Sequence, residues 1–306
     1  MDTKALIFDI KRDCSEDGPG IRTTVFFKGC PLACDWCQNP EGQVNRPQLS
    51  FDENHCHPAN CQMECVQACP TQCLSKQSSN CSKLKIDHQF CISGDSFCTR
   101  CSDACPYNAL KSSGYWITLK DLLYRVTIDE PFYKSTGGGI TLSGGEATMQ
   151  FKFVHHFLRA LKKRGIHTTI ETCGFFNYRR FQKLILPYVD LIYFDLKLMD
   201  DNLSWRHTGQ SNKLILKNFK RLVSDSKTSI IPRIPLIPGI TATKENLQNI
   251  AQFLSECAIQ NATLLPYNPL WRDKIDKFNL NPKYKRRSFM TKDELQTSVA
   301  HFKSYN

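Results

Sequence analysis

Residues 28–40 read Lys-Gly-Cys-Pro-Leu-Ala-Cys-Asp-Trp-Cys-Gln-Asn-Pro, and they directly follow a short run of strand-forming residues at 22–27. This stretch places Cys30, Cys34 and Cys37 at C-x3-C-x2-C spacing in a loop at the end of a strand. Three thiolates so close in sequence can bind one iron-sulfur cube. Because no fourth cysteine lies at ligand spacing, one iron would stay open for a small molecule, as the metal of a catalytic site keeps an open position. A partial zinc site or a chance cluster of cysteines is the alternative.

The remainder of the chain alternates short β-rich runs with amphipathic segments from about Trp116 to the end. This alternation is typical of βα units around a parallel sheet. We predict six strands, at residues 22–27, 140–142, 168–171, 191–195, 230–236 and 263–265. Apolar residues at three- and four-residue spacing predict helices at 151–163, 178–186, 214–223 and 245–254. A last helix is predicted to begin at Thr291, where Glu294 completes a capping box.

The composition indicates a globular protein. At 306 residues with 41% hydrophobic content, the chain is long enough to bury a sizeable core. Its N-terminal residues carry a charge every few positions, so no apolar signal-peptide region develops. No apolar run approaches the ~20 residues that a transmembrane helix needs. We therefore expect a soluble cytoplasmic protein with no membrane partner.

The chain has sixteen cysteines, eleven of them in three short clusters. Disulfides persist only in oxidising surroundings, so metal ligation or catalysis is the better interpretation, with zinc as the rival to iron-sulfur clusters. The net charge of +11 could indicate a nucleic-acid partner, but that count treats every cysteine as neutral. Cluster ligands are thiolates, whose charge offsets part of the excess. We expect no nucleic-acid partner and interpret the basic runs as solvated faces, which could also attract an acidic reductant or partner protein.

Residues 51–110 break the strand-helix alternation, because they are cysteine-rich, polar and without a long periodic segment. So little apolar content would need metal clusters in order to fold. We therefore predict a core formed by residues 1–50 and 111–306 and a metal-containing insert at 51–110. The cysteines of the insert form two sets that both end in C-x3-C-P, namely Cys56, Cys61, Cys65 and Cys69, then Cys91, Cys98, Cys101 and Cys105.

The triplet at 30–37 resembles the cluster motif of the radical S-adenosylmethionine superfamily, which has this spacing and an aromatic residue before the last cysteine, here Trp36. The resemblance implies a 4Fe-4S cluster on Cys30, Cys34 and Cys37, with an open iron that binds S-adenosylmethionine. It also implies that Trp36, Cys37 and Gln38 lie near the cofactor, with Trp36 beside the adenine. The implied fold is α/β, a partial (β/α)6 barrel with the cluster at its mouth.

Further segments narrow the resemblance to the glycyl radical enzyme activating enzymes, over nearly the whole chain. Residues 17–22 resemble that family's D-G-P-G-x-R segment. In that family the segment lies close to the incoming glycyl-loop peptide, so Asp17 is a candidate partner contact. Residues 143–146 resemble the S-G-G-E segment that receives the methionine part of the cofactor. There Gly144 and Gly145 would allow close backbone approach, and Glu146 could pair with the cofactor's ammonium group.

Two later segments resemble cofactor-binding strand ends of the same family. Residues 171–174 resemble its Asp/Glu-T-x-G segment, and residues 195–197 its D-x-K segment. Alternation along a strand points Asp195 and Lys197 to one side. The resemblance implies that Lys197 pairs with the cofactor carboxylate, while Asp195 and Glu171 contact hydroxyls or a small monovalent cation. The candidate cofactor-binding residues here are Glu171, Asp195, Leu196, Lys197, Arg233 and Asn246. An ordinary surface ion pair is the alternative.

The two cysteine sets of the insert resemble bacterial two-cluster ferredoxins, in which the fourth cysteine of each run serves the other cluster. The resemblance implies one 4Fe-4S cluster on Cys56, Cys61, Cys65 and Cys105, and a second on Cys91, Cys98, Cys101 and Cys69. Several gaps are longer than in the ferredoxin pattern. Cys73 or Cys81 could therefore replace a ligand, or one cluster could be absent. Two zinc sites are the alternative.

The activity that the resemblance implies is reductive cleavage of S-adenosylmethionine to methionine and a 5′-deoxyadenosyl radical, which abstracts hydrogen from a backbone glycine of a partner glycyl radical enzyme. The expected reductant is flavodoxin or ferredoxin, with the insert clusters as a candidate electron path, and the expected state is a monomer in an anaerobic cytoplasm. Two alternatives stay open here. One is a radical S-adenosylmethionine enzyme that acts on a small molecule or another peptide, and the other is an iron-sulfur electron carrier.

Overall fold

The computed structural model describes residues 3–57, 60–76, 84–87, 91 and 98–303. Eight of the strands in these ranges form one sheet, and four more form two small ladders. In chain order the strands are β1 (Lys4–Cys14), β2 (Arg22–Phe27), β3 (Gln48–Phe51), β4 (Leu74–Lys76), β5 (Leu84–Ile86), β6 (Leu110–Ser113), β7 (Tyr115–Thr118), β8 (Gly139–Gly144), β9 (His167–Thr172), β10 (Leu191–Asp195), β11 (Ser229–Leu236) and β12 (Thr263–Pro266).

The main sheet has the order β12-β11-β10-β9-β8-β2-β1-β7. Every pair from β2 to β12 is parallel, so the six strands predicted from the sequence form one continuous parallel run. The antiparallel strands β1 and β7 extend the sheet beside β2. In the part of the chain that the structure describes, the edge strands β7 and β12 do not pair with each other, so the sheet is open. The prediction of an α/β fold with a mostly parallel sheet is confirmed.

Helices connect the strands and cover the sheet. They are α1 (Glu64–Gln67), α2 (Arg100–Asp103), α3 (Leu119–Thr127), α4 (Glu130–Thr136), α5 (Phe151–Lys163), α6 (Tyr178–Leu184), α7 (Asp201–Thr208), α8 (Lys213–Asp225), α9 (Lys244–Glu256), α10 (Asp273–Lys277) and α11 (Lys292–Lys303). The five predicted helices correspond to α5, α6, α8, α9 and α11. The capping box of α11 is formed as predicted, with Thr291 N–H donating to Glu294 Oε2 at 2.8 Å and Glu294 N–H to Thr291 Oγ1 at 3.2 Å.

The main core lies between the sheet and its helices. In α5 the side chains of Phe153, Val154, Phe157 and Leu158 are buried against the sheet. Each such burial contributes roughly 1.5–3 kcal/mol of hydrophobic free energy. This packing fixes the strand ends in relation to one another, and the loops at those ends form the site described below. No helix within the described ranges has the length and apolarity to cross a membrane.

An antiparallel ladder lies where the cysteine-rich segment, residues 51–110, leaves and rejoins the rest of the chain. In that ladder β3 and β6 pair antiparallel, from Gln48 opposite Ser113 to Phe51 opposite Leu110. A second antiparallel ladder joins β4 and β5. An apolar cluster separate from the main core combines several cysteines of the segment with Leu74, Leu110 and Leu49, the last from just outside the segment. The predicted boundaries at 50/51 and 110/111 cut through β3 and β6, and the division into core and insert stays a prediction.

The cysteine-rich segment contains one local structure twice. Residues 65–74 read C-V-Q-A-C-P-T-Q-C-L, and residues 101–110 read C-S-D-A-C-P-Y-N-A-L. Both copies start in a four-residue helix, and Gln72 and Asn108 adopt the same φ of 52°. Their N–H groups donate to the carbonyls of Cys69 (3.3 Å) and Cys105 (3.2 Å), three residues earlier. The segment is therefore a repeat in structure as well as in sequence.

Candidate active site

The carboxyl ends of the parallel strands open into a cavity of about 460 Å³. Ligands of parallel α/β folds bind at this end of the strands. Most of the residues predicted to form the site line this one cavity, and they are Asp17, Cys30, Cys34, Trp36, Cys37, Gln38, Gly144, Gly145, Glu171, Asp195, Lys197 and Arg233.

The loop after β2 carries the cysteine triplet and is fixed by backbone hydrogen bonds. Gly29 N–H donates to the Gly42 carbonyl at 2.8 Å, and Cys30 N–H donates to the Gln43 carbonyl at 3.0 Å. Cys37 N–H turns back to the Cys34 carbonyl at 3.2 Å. Backbone atoms make these contacts, and Gly29 has a φ of 96°, a conformation that L side chains rarely adopt.

Helix α7 supports the same loop from outside the cavity. Ala33 N–H donates to the Thr208 carbonyl at 2.7 Å, and Asp35 N–H donates to the His207 carbonyl at 3.0 Å. The Nδ1 atom of His207 also lies 3.0 Å from Asp35 Oδ2. The C-terminal end of α7 thus holds the middle of the loop between Cys30 and Cys37.

Trp36 forms an apolar wall of the cavity. It is 3% exposed and packs in a cluster with Leu198, Ile237 and Tyr267. Aromatic side chains bind nucleobases by stacking. The position of Trp36 next to Cys37 therefore suits a ligand that carries a purine close to the cysteine triplet.

The three thiols suit an iron-sulfur cube. Burial raises the pKa of Cys37 to about 12 and raises the pKa of Cys34 above its ordinary range, and the neighbouring thiols add to both effects. A hydrogen bond with the Cys173 thiol lowers the pKa of Cys30. Bound iron replaces such protons. Among the described residues, no group of three or more His, Cys, Asp or Glu side chains is arranged to hold a single metal ion.

The turn after β8 packs directly on the cluster loop. Gly145 N–H donates to the Phe27 carbonyl at 2.8 Å, and Glu146 N–H donates to the Gly29 carbonyl at 2.7 Å. A Cβ atom on Gly145 would overlap the carbonyl oxygens of Gly29 and Gly42. We predicted that Gly144 and Gly145 allow a close approach of the cofactor. In the structure, Gly145 allows the turn to pack closely against the cluster loop.

Four charged side chains at the ends of β9, β10 and β11 form one network. Arg233 Nη1 lies 2.6 Å from Glu171 Oε1, and Arg233 Nε lies 3.4 Å from Asp195 Oδ1. Lys197 Nζ lies 2.8 Å from Asp195 Oδ2. Burial alone would raise the pKa of Asp195, but Lys197 and Arg233 lower it, whereas burial raises the pKa of Glu171. The network lines the cavity and is not the surface ion pair considered as an alternative.

Glu146 does not line the cavity. It is fully buried, and its Oε2 atom accepts from Thr172 Oγ1 (2.9 Å) and Cys173 N–H (2.8 Å). Its Oε1 atom accepts from Thr148 Oγ1 at 2.7 Å and from Thr148 N–H at 3.2 Å. Protein donors thus occupy both oxygens, so this geometry gives Glu146 a positioning role at the end of β9. Its predicted contact with an ammonium group stays untested.

Asn246 and Leu196 also lie outside the cavity lining. Asn246 accepts from Met199 N–H at 2.9 Å and donates to the carbonyls of Lys197 (2.9 Å) and Thr241 (2.8 Å). Leu196 is 1% exposed, and its N–H donates to the Arg233 carbonyl at 2.9 Å. Both residues therefore position the backbone around Lys197, and their predicted cofactor contacts stay untested.

Asp17 reaches the cavity from the D-G-P-G turn. Its Oδ2 atom accepts from Thr24 Oγ1 at 2.5 Å. The fully buried Arg22 fixes the turn, because its guanidinium donates to the carbonyls of Pro19 (3.1 Å) and Ile140 (2.8 Å). The turn is thereby attached to β8, and Asp17 stays next to the site.

Several cavity residues were not singled out from the sequence. Ser143 lines the cavity, and its hydroxyl donates to Glu171 Oε2. The end of β12 and the two residues after it, 265–268, line another part of it. Ser143 belongs to the S-G-G-E segment but was given no role of its own, whereas the only signal for residues 265–268 was their position at the C-terminal end of a predicted strand.

In the cysteine-rich segment, four cysteines line one small enclosed cavity, and they are Cys56, Cys61, Cys65 and Cys105. Burial, together with the other three thiols, raises the pKa of Cys65 to about 11. Three of these residues come from the first sequence set and Cys105 from the second. This is the crosswise grouping that the ferredoxin resemblance implies, and the cluster itself stays a prediction.

The second group contains one thiol more than a cube needs, and its members are Cys69, Cys73, Cys91, Cys98 and Cys101. Burial, together with the neighbouring thiols of Cys69, Cys73 and Cys98, raises the pKa of Cys101 to about 12. The Sγ atoms of Cys69 and Cys73 lie 3.3 Å apart, and Cys73 also hydrogen-bonds to Cys91. Cys81, the other candidate replacement ligand, lies outside the described residues.

The sequence of this chain is similar to those of several known proteins. The model of the Radical SAM superfamily matches residues 93–254. The chain is 36% identical over 273 residues to the isethionate sulfite-lyase activating enzyme of Oleidesulfovibrio alaskensis, covering 89% of this chain and 86% of the relative. It is 38% identical to the trans-4-hydroxy-L-proline dehydratase activating enzyme of Clostridioides difficile, covering 89% and 87%. The 4-hydroxyphenylacetate decarboxylase activating enzyme of Clostridioides difficile is 34% identical, covering 96% and 91%.

Among solved structures, a radical SAM methyltransferase from Sphaerobacter thermophilus has the same fold, with a TM-score of 0.53 at 12% identity over 98% of this chain and 75% of that one. The sequence relatives are aligned over 89 to 96% of this chain. They support the activase interpretation over the small-molecule enzyme and the electron carrier. Fold, cysteine spacing and relatives together show that the chain belongs to the glycyl radical enzyme activating enzymes of the radical SAM superfamily.

Proposed function

We propose that the central cavity holds the 4Fe-4S cluster and S-adenosylmethionine of this activase, and that its product radical is passed to a glycine of a partner glycyl radical enzyme. One observation carries the proposal: three thiols at C-x3-C-x2-C spacing and four charged side chains from three strand ends line the same cavity. An electron carrier without a substrate would have no need for the charged strand ends.

When bound together, the reduced cluster and S-adenosylmethionine supply a reductive cleavage that gives methionine and a 5′-deoxyadenosyl radical, which takes hydrogen from the partner's backbone glycine. Cys30, Cys34 and Cys37 would hold three irons and leave the fourth for the amino-acid part of S-adenosylmethionine. Lys197 and Arg233 provide positive charge for its carboxylate. The side chain of Trp36 provides an apolar face for its adenine.

The carboxylates of Glu171 and Asp195 accept hydrogen bonds from hydroxyl or ammonium groups. In the structure each is already paired with a cation of the protein, since Arg233 contacts both and Lys197 contacts Asp195. A bound ligand would therefore rearrange these ion pairs, and the predicted monovalent cation would compete with Lys197 and Arg233 for the same oxygens.

The partner's glycine would reach the cavity past Asp17, which lines it. The relatives named above activate a lyase, a dehydratase and a decarboxylase, and their identities to this chain span only 34 to 38%. Identity therefore does not select one partner class for this chain.

The cysteine-rich segment is proposed to carry two further 4Fe-4S clusters. The first would use Cys56, Cys61, Cys65 and Cys105, and the second Cys69, Cys91, Cys98 and Cys101. The four thiols that share one enclosed cavity support the first assignment. A flavodoxin or ferredoxin is the proposed reductant, and a monomer the proposed state.

Anaerobic reconstitution with iron and sulfide tests the proposal, followed by iron counting and a 5′-deoxyadenosine assay with dithionite. We expect about twelve irons per chain, as three cubes require. Cys34→Ala should lose about four irons and all 5′-deoxyadenosine. Cys257→Ala, at a cysteine that belongs to none of the three proposed clusters, should keep its irons and its activity. Activity with only about four irons would refute the two additional clusters and leave the central site intact. Bound zinc without product would refute the whole proposal.

A further inference from the structure

A second cavity of about 690 Å³ lies outside the sheet, where α5, α6 and α8 begin. We call it the outer groove, and it is lined by residues from the cluster loop, the start of α5, the segment after β9 and α8. None of the predicted site residues lines it. The mechanism proposed above makes no use of it.

The outer groove is lined by four cationic side chains, Arg179, Arg180, Lys217 and Arg221, and by no carboxylate. Arg179, Arg180 and Lys217 are exposed, and none of these three pairs with a carboxylate of the described ranges. The guanidinium of Arg180 lies 4.9 Å from the centre of the Phe151 ring, and that of Arg221 lies 3.9 Å from the centre of the Tyr178 ring. Aromatic rings therefore hold two of the four charges in place.

Apolar side chains are exposed around these charges. Met149 is 48% exposed and Leu214 is 37% exposed, and both line the groove. Arginine, methionine and aromatic residues are enriched at protein interfaces compared with the rest of a protein surface. A positive surface that combines these residue types suits an acidic protein better than a small anion.

The outer groove shares a thin wall with the central cavity. Pro31 lines the groove, while its chain neighbours Cys30 and Leu32 line the central cavity. Likewise Phe175 lines the groove, and Cys173 lines the central cavity. A protein bound in the groove would therefore be separated by about one residue from a ligand of the site cluster.

We propose that the outer groove is the docking site of an acidic one-electron carrier protein of the flavodoxin type. The carrier is oxidised by one electron and the site cluster is reduced by one, with no bond or proton moved in the step. This inference rests on the proposed function, because it needs a cluster on Cys30, Cys34 and Cys37.

The charge of the cysteine-rich segment argues against entry of the carrier there. Residues 51–110 contain four Lys or Arg against six Asp or Glu, although the whole chain has a net charge of +11. Thiolate ligands would make the segment still more negative. Electrostatic steering therefore brings an acidic carrier to the outer groove and away from the cysteine-rich segment.

The test compares two double variants of the reconstituted protein. The groove variant combines Arg179→Glu with Lys217→Glu, which reverses two charges of the outer groove. Neither side chain forms a hydrogen bond or ion pair with another described residue. Arg159→Glu with Lys163→Glu makes the same change of net charge at exposed positions toward the other end of α5. Binding of reduced flavodoxin is measured at low and high salt, and bleaching of the cluster absorbance is followed by anaerobic stopped flow. Photoreduced deazaflavin serves as the small reductant.

We expect the groove variant to slow flavodoxin-driven bleaching by about tenfold or more at low salt and to weaken the salt dependence of binding. The control variant should change little, and deazaflavin should reduce all three proteins alike. An equal loss in both variants, an unaffected groove variant, or a wild-type cluster that flavodoxin fails to reduce would each overturn the docking site. A wild-type protein that makes no 5′-deoxyadenosine even with deazaflavin would instead refute the proposed function.

Discussion

Arg233 on β11 reaches across β10 to donate to Glu171 on β9, with Nη1 2.6 Å from Oε1. The same guanidinium lies 3.4 Å from Asp195 on β10. One side chain therefore joins three neighbouring strand ends at the wall of the central cavity. Because the contact is mostly buried, its loss should affect stability as well as ligand binding.

We expect Arg233→Met and Glu171→Gln each to lower the free energy of unfolding by about 3 kcal/mol, because each leaves a buried partner unpaired. The double variant should lose clearly less than the sum of the two, which a double-mutant cycle of anaerobic chemical unfolding would measure. The exposed pair Lys220 and Glu256, 3.6 Å apart, is the matched control and should show a coupling below about 1 kcal/mol. Additive losses at Arg233 and Glu171 would contradict the pairing.

Glu146→Gln separates a positioning role from a cofactor contact. Thr172, Cys173 and Thr148 now donate hydrogen bonds to the two carboxylate oxygens of Glu146. The amide NH2 of glutamine would replace one of these oxygens with a donor, which would then face donors. We expect the free energy of unfolding to fall by about 1–3 kcal/mol, with the affinity for S-adenosylmethionine unchanged when measured by equilibrium dialysis. A large loss of affinity without loss of stability would restore the ammonium contact that the S-G-G-E resemblance implies.

The six parallel strands were predictable because buried parallel strands are continuous runs of β-forming residues, and their ends carry the conspicuous polar segments. β1 was not predicted, since charged residues interrupt its sequence, KALIFDIKRDC, and apart from Cys14 only residues 5–7 are buried. α7 was missed because it has no apolar stripe: Leu203 and Trp205 are 40% and 57% exposed. Yet α7 supports the cluster loop through backbone carbonyls, which leave no trace in a sequence pattern.

In the candidate site, too, some features could be predicted from the sequence and others could not. Glu171 lies near the end of a strand that contains threonines, and Glu146 follows two glycines at the end of another strand. From the sequence, both are candidate cofactor ligands. Only the fold shows that Thr148, Thr172 and Cys173 saturate Glu146, while Glu171 faces the cavity. Both carboxylates have protein donors, Glu171 from Ser143 and Arg233, so burial and not hydrogen bonding separates them, and burial depends on contacts between strands far apart in sequence.

Lys28 introduces a pH dependence into stability. It is fully buried beside the cluster loop, where its Nζ atom donates to the Glu41 carbonyl and to Gln48 Oε1 (3.1 Å). Burial lowers the pKa of Lys28 to about 8, although Glu41 partly opposes the shift. The unfolded chain holds this proton up to a higher pH than the folded protein does, so stability rises as pH increases between the two pKa values.

Between about pH 7.5 and about pH 9.5, we expect the unfolding free energy of the wild type to gain about 2 kcal/mol relative to Lys28→Met. The two proteins share their other titrating groups, so the difference between their anaerobic urea transitions isolates Lys28. The expected sign is a wild type that improves against the variant with rising pH. A constant difference, or one that falls with pH, would show that Lys28 keeps an ordinary pKa in the folded protein.

Cys73 tests the cluster assignment of the cysteine-rich segment. It occupies the position of Ala109 in the structural repeat, and its Sγ atom lies 3.3 Å from that of Cys69. That distance suits a thiol that donates to a ligand sulfur, and it is short for two ligands on different irons of one cube. Hydrogen bonds to the sulfurs are among the features that set cluster potentials.

Cys73→Ala, which copies the other half of the repeat, should keep about twelve irons, because four ligands remain for the second cluster. The reduction potential of one cluster should become more negative, as followed by spectroscopically monitored redox titration, and Cys73→Ser should restore part of that change because it keeps a donor. Cys69→Ala is the reference and should lose about four irons. If Cys73→Ala loses the irons while Cys91→Ala keeps them, then Cys73 is the ligand and Cys91 does not bind the cluster. That outcome would also explain why the gap between Cys91 and Cys98 is longer than in the ferredoxin pattern.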